Sequence, residues 1–185
     1  RGVGVDASAP MLERARLRAR FEPNLTFGRL DGPQLPVDAA SMDVVVCVLA
    51  WRYLDWDPMV AEIRRVLRPG GQLLLIDMAV APFKPGAVPR VLLDKLRVGA
   101  AALAKPRFRS ALRRLVDDPR WRVMLANHPM RAEHEYRWYL PSRFASMTVE
   151  VLNRAVRSEM LAFAWRKPRG QADVATAATS AASLE

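Results

Sequence analysis

A single cysteine, Cys47, stands in 185 residues. One thiol excludes an internal disulfide framework and a cysteine-built zinc site, and it fits a reducing, cytoplasmic compartment. Histidine is nearly as scarce. His128 and His134 are the only two, and their spacing of six with no cysteine nearby is a poor metal signature, so no metal is expected. No apolar run approaches the ~18 residues of a membrane-spanning helix. The opening residues read as a strand and not as a secretory leader. Gly2 and Gly4 lack the third glycine of a dinucleotide fingerprint, and there are no internal repeats. Acid is outnumbered by base, 19 residues to 29, for a net charge of +10. All but four of the basic residues are arginine, a bias that a GC-rich genome alone produces. Such a balance permits attraction to nucleic acid, anionic lipid or acidic substrates and selects none of them; a solvated basic surface is the plain alternative.

What is present is an ordinary globular mix, 51% apolar and 26% charged, long enough for one domain with a substantial core. The chain is organised around residues 37–78. Residues 42–49 (MDVVVCVL) form a nearly unbroken β-branched run, which predicts a strand buried on both faces of a parallel sheet. Asp57-Pro58 is expected to open a helix, with Asp57 as cap and Pro58 in the first turn. Ile63, Val66 and Leu67 fall on one face of it. Arg68-Pro69-Gly70-Gly71 is expected to stop it, and residues 72–78 (QLLLIDM) read as the next buried strand. A strand–helix–strand unit of this kind specifies an α/β fold with a parallel sheet.

Residues 1–6 (RGVGVD) read as a short strand and residues 9 onward as a helix, with Ser8 as a candidate cap and Pro10 in the first turn. Asp6 closes the strand. In doubly wound folds ligands sit at the carboxyl ends of the strands, and an acid there takes both hydroxyls of a ribose; the alternative is an Asp6 that only caps the helix, with Met11 in the core. Residues 25–30 (LTFGRL) predict a third strand, followed by Asp31-Gly32, which by itself is a plain turn. Beyond residue 82 two helices are expected, 88–104 and 108–126, divided by Lys105-Pro106. The second is basic, which leaves open an anionic membrane surface, a lid over a substrate, or a solvated face. Residues 127–144 hold both histidines and a group of acids and tyrosines. His128, Glu133, His134 and Tyr139, with Glu135 and Tyr136 beside them, are the candidates for acid–base work; lining of a substrate pocket is the broader expectation for the group. Residues 148–157 and 160–167 predict two strands joined by a turn at Ser158-Glu159. From residue 169 the chain is small and polar and is expected to be disordered.

The strings LPVDAASMDVVVCVLAWRYLDW and EIRRVLRPGGQLLLID, with GVDASAPML before them, resemble the class I S-adenosylmethionine-dependent methyltransferases, and among these the small-molecule enzymes grouped with quinone biosynthesis. The resemblance implies a Rossmann-like, mostly parallel sheet finished by an antiparallel hairpin. It implies S-adenosylmethionine as cofactor and a small organic molecule as methyl acceptor. It also implies Asp6 on the ribose, Ala7 and Met11 against the adenine, and Asp31 and Gly32 at the adenine edge. Cys47 and Val48 would lie near the methionine part. Where related enzymes often carry a histidine this chain has Arg52, which has no readily lost proton and is expected on the cofactor carboxylate, on an anionic substrate, or at the surface. The implied domain runs from 1 to 168, with residues 82–144 as a helical lid and 169–185 as a tail. The family's first strand and glycine-rich turn would precede Arg1, and nothing in the sequence matches them. The chain is therefore expected to be a fragment of a longer protein; if it were the whole protein, cofactor binding would be expected to need a partner chain or a swapped segment. The expected partner is a small-molecule substrate and not nucleic acid, with peripheral membrane contact and self-association left open. Two rivals stand beside this reading. One is a non-catalytic module of the same fold, binding a partner or nucleic acid through its basic helix. The other is a nicotinamide-dependent oxidoreductase, which the RPGG segment and the terminal hairpin argue against.

Overall fold

The structure is a computed structural model that describes residues 1–82, 85–103, 105–154 and 157–170. Residues 171–185, most of the expected tail, lie outside the described residues. The chain groups into two compact units. Strands that begin in the first continue into the second, and the units are described in turn.

The first unit opens on strand β1 (Gly2–Asp6), helix α1 (Ala9–Arg18) and strand β2 (Leu25–Arg29). β1 and β2 pair in parallel as a two-stranded sheet, from Gly2 opposite Leu25 to Asp6 opposite Arg29. The predicted cap of α1 is corrected. Ser8 occupies the N-cap position, but its hydroxyl makes no capping bond. Instead the Ser8 N–H donates to the Asp6 carboxylate at 2.8 Å. Leu12 turns inward at 3% exposure while Met11 stays half exposed, so Met11 is not core.

The same unit holds the start of strand β3 (Met42–Val48), helix α2 (Trp56–Val66) and the start of strand β4 (Leu67–Val80). The helix begins two residues earlier than Asp57-Pro58 predicts, with Asp55 at its N-cap and Pro58 within its first turn. Met59, Val60, Ile63 and Val66 form its buried stripe, an i, i+1, i+4, i+7 set on one face of an amphipathic helix. The Arg68–Gly71 segment does not separate helix from strand. It is the opening of β4 itself. The Gly70 N–H donates to the Lys167 carbonyl at 2.9 Å, and the Lys167 N–H donates back to Gly71 at 2.8 Å. Those bonds recruit the segment into extended pairing. Gly70 sits at a φ of 79°, which a side chain disfavours. Gly71 is needed for space: a Cβ there would lie 2.9 Å from the Arg68 carbonyl oxygen and 3.1 Å from that of Asp43.

The second unit holds the ends of β3 and β4, helices α3 (Val88–Leu103), α4 (Pro106–Asp117), α5 (Pro119–Asn127) and α6 (Glu133–Arg143), and strands β5 (Thr148–Arg154) and β6 (Ser158–Arg166). The four-stranded sheet has the order β3-β4-β6-β5, with β5 and β6 antiparallel and a register shift between Val151 and Asn153. The predicted hairpin is present, but Ser158 and Glu159 already lie in β6, with Glu159 opposite Arg154. The basic helix expected over 108–126 is two helices. Asp118 accepts from the Arg120 N–H at 2.8 Å and caps α5, and Pro119 follows it, so a single helix cannot run through. Along β6 the alternation Glu159, Leu161, Phe163, Trp165 points inward, against Tyr136, Leu140 and Phe144 of the α6 region, all fully buried. The Phe144 and Trp165 rings lie 4.8 Å apart.

β3 corrects one expectation. It stands at the end of the sheet order, and Val44, Val46 and Val48 are 44%, 62% and 53% exposed. Their face of the strand is left open, while Val45 and Cys47 on the other face are half-buried. Among the described residues no helix is long and apolar enough to cross a membrane.

Candidate functional site

In the first unit the predicted residues gather at the carboxyl ends of β1 and β2. Asp6 ends β1; its backbone carbonyl accepts from Leu30 N–H at 3.0 Å, and one carboxylate oxygen is engaged by Ser8. A carboxylate offers about four lone-pair directions, so the helix-capping role leaves acceptor capacity for a further ligand. Ala7 and the half-exposed Met11 lie just beyond it. Asp31 pairs with Arg29 at 2.8 Å, both side chains largely exposed. It lines an open depression of about 460 Å³ with Arg29, Leu35, Val37 and Arg65. Gly32 adopts a φ of 97° with open space around its Cα. Below this depression Glu62 accepts from Leu35 N–H at 2.9 Å and pairs with Arg65 at 2.8 Å. The Arg65 hydrogen bond holds the Glu62 carboxyl below its usual range.

In the second unit the chain turns sharply after β3. Leu49 has a φ of 54°, a region that costs a non-glycine residue roughly 1–2 kcal/mol. Its N–H donates to Ile76 at 2.8 Å, and the following short 3-10 turn, Trp51–Tyr53, is anchored by the fully buried Trp51. This fixes Arg52. Its backbone N–H donates to Asp77 Oδ2 at 3.3 Å, its guanidinium donates to the Tyr53 hydroxyl, and it lies 4.7 Å from the Tyr53 ring centre. His128 packs edge-on to the same tyrosine at 5.1 Å.

Sequence reasoning missed Asp77. It is 2% exposed on the inward face of β4, where its carboxylate also accepts from Met78 N–H at 2.8 Å and has the Tyr136 hydroxyl beside it. Burial, opposed by those hydrogen bonds, raises its pKa. The same burial, with the Asp77 charge beside it, drives the Tyr136 hydroxyl upward and keeps it neutral. The signal was there: one acid inside LLLIDM, at a position whose alternation points inward. Cys47 is raised to about 11 by burial first and the Asp77 charge second, so it is a neutral thiol at physiological pH and no nucleophile. Val48 is half exposed at the strand end.

Of the four acid–base candidates, the structure brings only His128 to Arg52. They share a cavity of about 310 Å³ with Asn127, Arg131 and Glu135. Glu133 is ion-paired with Arg137 at 2.5 Å. His134 is exposed on α6. Tyr139 is buried with the Arg143 guanidinium 5.3 Å from its ring centre. Among the described residues no cluster of histidine, cysteine and acid suits a metal.

Residues 1–75 match the methyltransferase domain family. The chain is 38% identical over 77 residues to a demethylmenaquinone methyltransferase of Deinococcus radiodurans, covering 40% of this chain and 32% of that protein. It is 35% identical over 98 residues to a malonyl-[acyl-carrier protein] O-methyltransferase of Xylella fastidiosa, covering 48% and 33%. It thus spans about a third of the length of these relatives. Its fold is similar to phosphoethanolamine N-methyltransferase 2 of Haemonchus contortus, solved with S-adenosyl-L-methionine: TM-score 0.59, 14% identity, 90% of this chain and 43% of that one. The sequence match to methyltransferases is thus confined to the first part of the chain, and the likeness to the solved methyltransferase is one of fold.

Proposed function

We propose that this chain takes part in methyl transfer from S-adenosylmethionine to a small organic acceptor. The observation that carries the reading is the family match over residues 1–75, the stretch in which Asp6 closes a parallel strand and opens a helix. S-adenosylmethionine supplies an already activated methyl group on a sulfonium, so the protein's work is chiefly alignment. Asp6 takes the ribose hydroxyls with the acceptor capacity that Ser8 leaves. Ala7 and Met11 offer apolar surface to the adenine, and Asp31 and Gly32 its edge. Cys47 and Val48 are the residues that the resemblance assigns to the methionine part, and a neutral Cys47 thiol is chemically inert toward it. His128 is the acid–base candidate for an acceptor that must lose a proton. The relatives' names join two different acceptors, demethylmenaquinone and malonyl-[acyl-carrier protein], so the likeness narrows the reaction and not the acceptor.

Calorimetric titration with S-adenosylhomocysteine tests this. Wild type is expected to bind, and Asp6→Ala to bind about tenfold more weakly, the loss of one charge-assisted hydrogen bond pair. Because Asp6 also caps α1, Asp6→Asn serves as the control. It retains an acceptor for Ser8 N–H and loses the charge, and it is expected to melt like wild type while binding weakly. Absence of binding by folded wild type, or equal affinity in all three proteins, overturns the reading.

A further inference from the structure

The cavity shared by Arg52 and His128 has an unmet donor in its lining. Its ionisable lining is Arg52, Arg131, Glu135 and His128. Arg131 and Glu135 cancel each other. Glu135 takes Arg131 Nη1 at 3.1 Å on one oxygen and the Ala132 N–H at 3.0 Å on the other, and these bonds hold its carboxyl below the usual range. Arg52 is different. Asp77 reaches it through the backbone N–H and Tyr53 through one guanidinium nitrogen, while its Nε is buried with no hydrogen-bond partner. A buried donor left unmet on a permanent cation is costly, and Arg52 cannot shed its proton to relieve it. The Asp77 carboxylate lies behind the turn and acts on Arg52 through its charge, but on the cavity side the guanidinium still has a buried donor to satisfy.

We infer that this cavity receives the carboxylate of an anionic methyl acceptor, paired with Arg52. The inference deepens the methyl-transfer reading and rests on it. With the Asp77 carboxylate already close to Arg52, a monoanionic carboxylate is accommodated better than a phosphate dianion, and the planar guanidinium presents its donors in the geometry a carboxylate accepts. The volume, about 310 Å³, is at the small end of ligand pockets, enough for the acidic end of a small molecule with the remainder projecting out. His128, on the same wall, stands next to whatever Arg52 holds. The 3-10 turn is rigid, because Trp51 is buried and Asp77 pins the Arg52 N–H, so the cation is preorganised and loses little entropy on pairing.

The test uses benzoate and inorganic phosphate as probes, read by the imidazole proton signals of His128 in NMR, with His134 as internal reference. Benzoate is expected to shift His128 saturably in the millimolar range, and Arg52→Gln to weaken it about tenfold. Arg52→Lys, which keeps the charge without the fork, falls between, and melting curves report that both variants fold. S-adenosylhomocysteine affinity is measured on the same proteins and is expected to be unchanged by Arg52→Gln. Unchanged benzoate affinity in Arg52→Gln overturns the inference, as does phosphate binding more tightly than benzoate. Loss of S-adenosylhomocysteine affinity in Arg52→Gln, with benzoate competing against it, assigns Arg52 to the cofactor carboxylate and overturns the acceptor assignment. Failure of the methyl-transfer reading looks different: wild type then binds no S-adenosylhomocysteine while His128 still responds to benzoate.

Discussion

Replacing Asp77 separates two consequences of burying a carboxylate. Two backbone donors converge on it, the N–H groups of Arg52 and Met78, and the Tyr136 hydroxyl lies beside it. In Asp77→Ala both N–H groups lose their acceptor inside a site where the parent residue is 2% exposed. Each buried group left unmet costs about 1–3 kcal/mol, and removal of a desolvated charge gives part of that back, so a net loss of about 3 kcal/mol is expected. Asp77→Asn keeps one acceptor oxygen and loses less, about 1 kcal/mol. The pH dependence distinguishes it further. Burial raises the Asp77 pKa above its ordinary 3.8, so the folded protein holds that proton more tightly than the unfolded chain does. Asp77 therefore imposes no penalty below about pH 4. Its penalty grows as pH rises through the raised value and is complete above it. Urea denaturation at pH 4.5 and pH 7 measures both effects. Wild type is expected to lose stability relative to Asp77→Asn on going from the lower pH to the higher. An Asp77→Ala protein within about 1 kcal/mol of wild type at pH 7, or parallel pH profiles for wild type and Asp77→Asn, refutes the picture of a desolvated carboxylate held by two backbone donors.

The neighbouring glycines of β4 are expected to fail differently. Gly70→Ala costs about 1–2 kcal/mol for its φ of 79° alone, since the atom its Cβ meets is the far end of the Arg169 side chain. Gly71→Ala is expected to cost more, because its Cβ meets two backbone carbonyl oxygens that cannot swing aside; thermal melts showing Gly71→Ala as the milder change contradict this. Glu62→Gln is expected to lose about 1 kcal/mol at pH 7, and its pH dependence has the opposite sign to that of Asp77. The Glu62 carboxyl is held low in the folded state, so its contribution is present above the ordinary carboxylate range and vanishes as pH falls through the lowered value. Wild type and Glu62→Gln should therefore converge in stability on acidification.

Legibility divided along physical lines. Period and punctuation located β1, β2, β3, β6 and helices α2 and α3 to within about two residues, because apolar alternation and helix stripes are local properties, while β4 begins five residues before the predicted start and β5 ends three before the predicted end. Asp6 and Arg52 were legible as candidates because each sits at the end of a strand, where side chains face ligands. The RPGG segment was misread because its conformation is decided by Lys167, a hundred residues away; locally, proline and two glycines can only be read as a break. β3 was read as doubly buried because a β-branched run reports strand propensity and says nothing of what covers the strand's faces. The split between α4 and α5 hangs on a single capping bond from Asp118, which the basic run around it obscured.

Asp77 shows why the candidate cavity could not be assembled from spacing alone. It belongs to β4, Arg52 to the turn after β3, Tyr136 to α6 and His128 to the end of α5. What joins them is the strand pairing that sets Leu49 on Ile76, and the bond from Val80 N–H to the Arg131 carbonyl at 2.9 Å. The second contact draws residues 127–135 toward the end of β4, and the first holds the Arg52 turn beside it. The burial that raises the Asp77 pKa is therefore inseparable from the positioning of Arg52, since the same carboxylate accepts the Arg52 N–H. An anion on the guanidinium and a proton on Asp77 should accordingly be linked. Benzoate, by adding negative charge near Asp77, is expected to raise its pKa further, and Asp77→Asn should bind benzoate with a weaker pH dependence than wild type. If the two proteins show the same pH profile for benzoate affinity, the strand-end carboxylate and the cavity cation act independently, and Asp77 is a feature of the fold and not of the site.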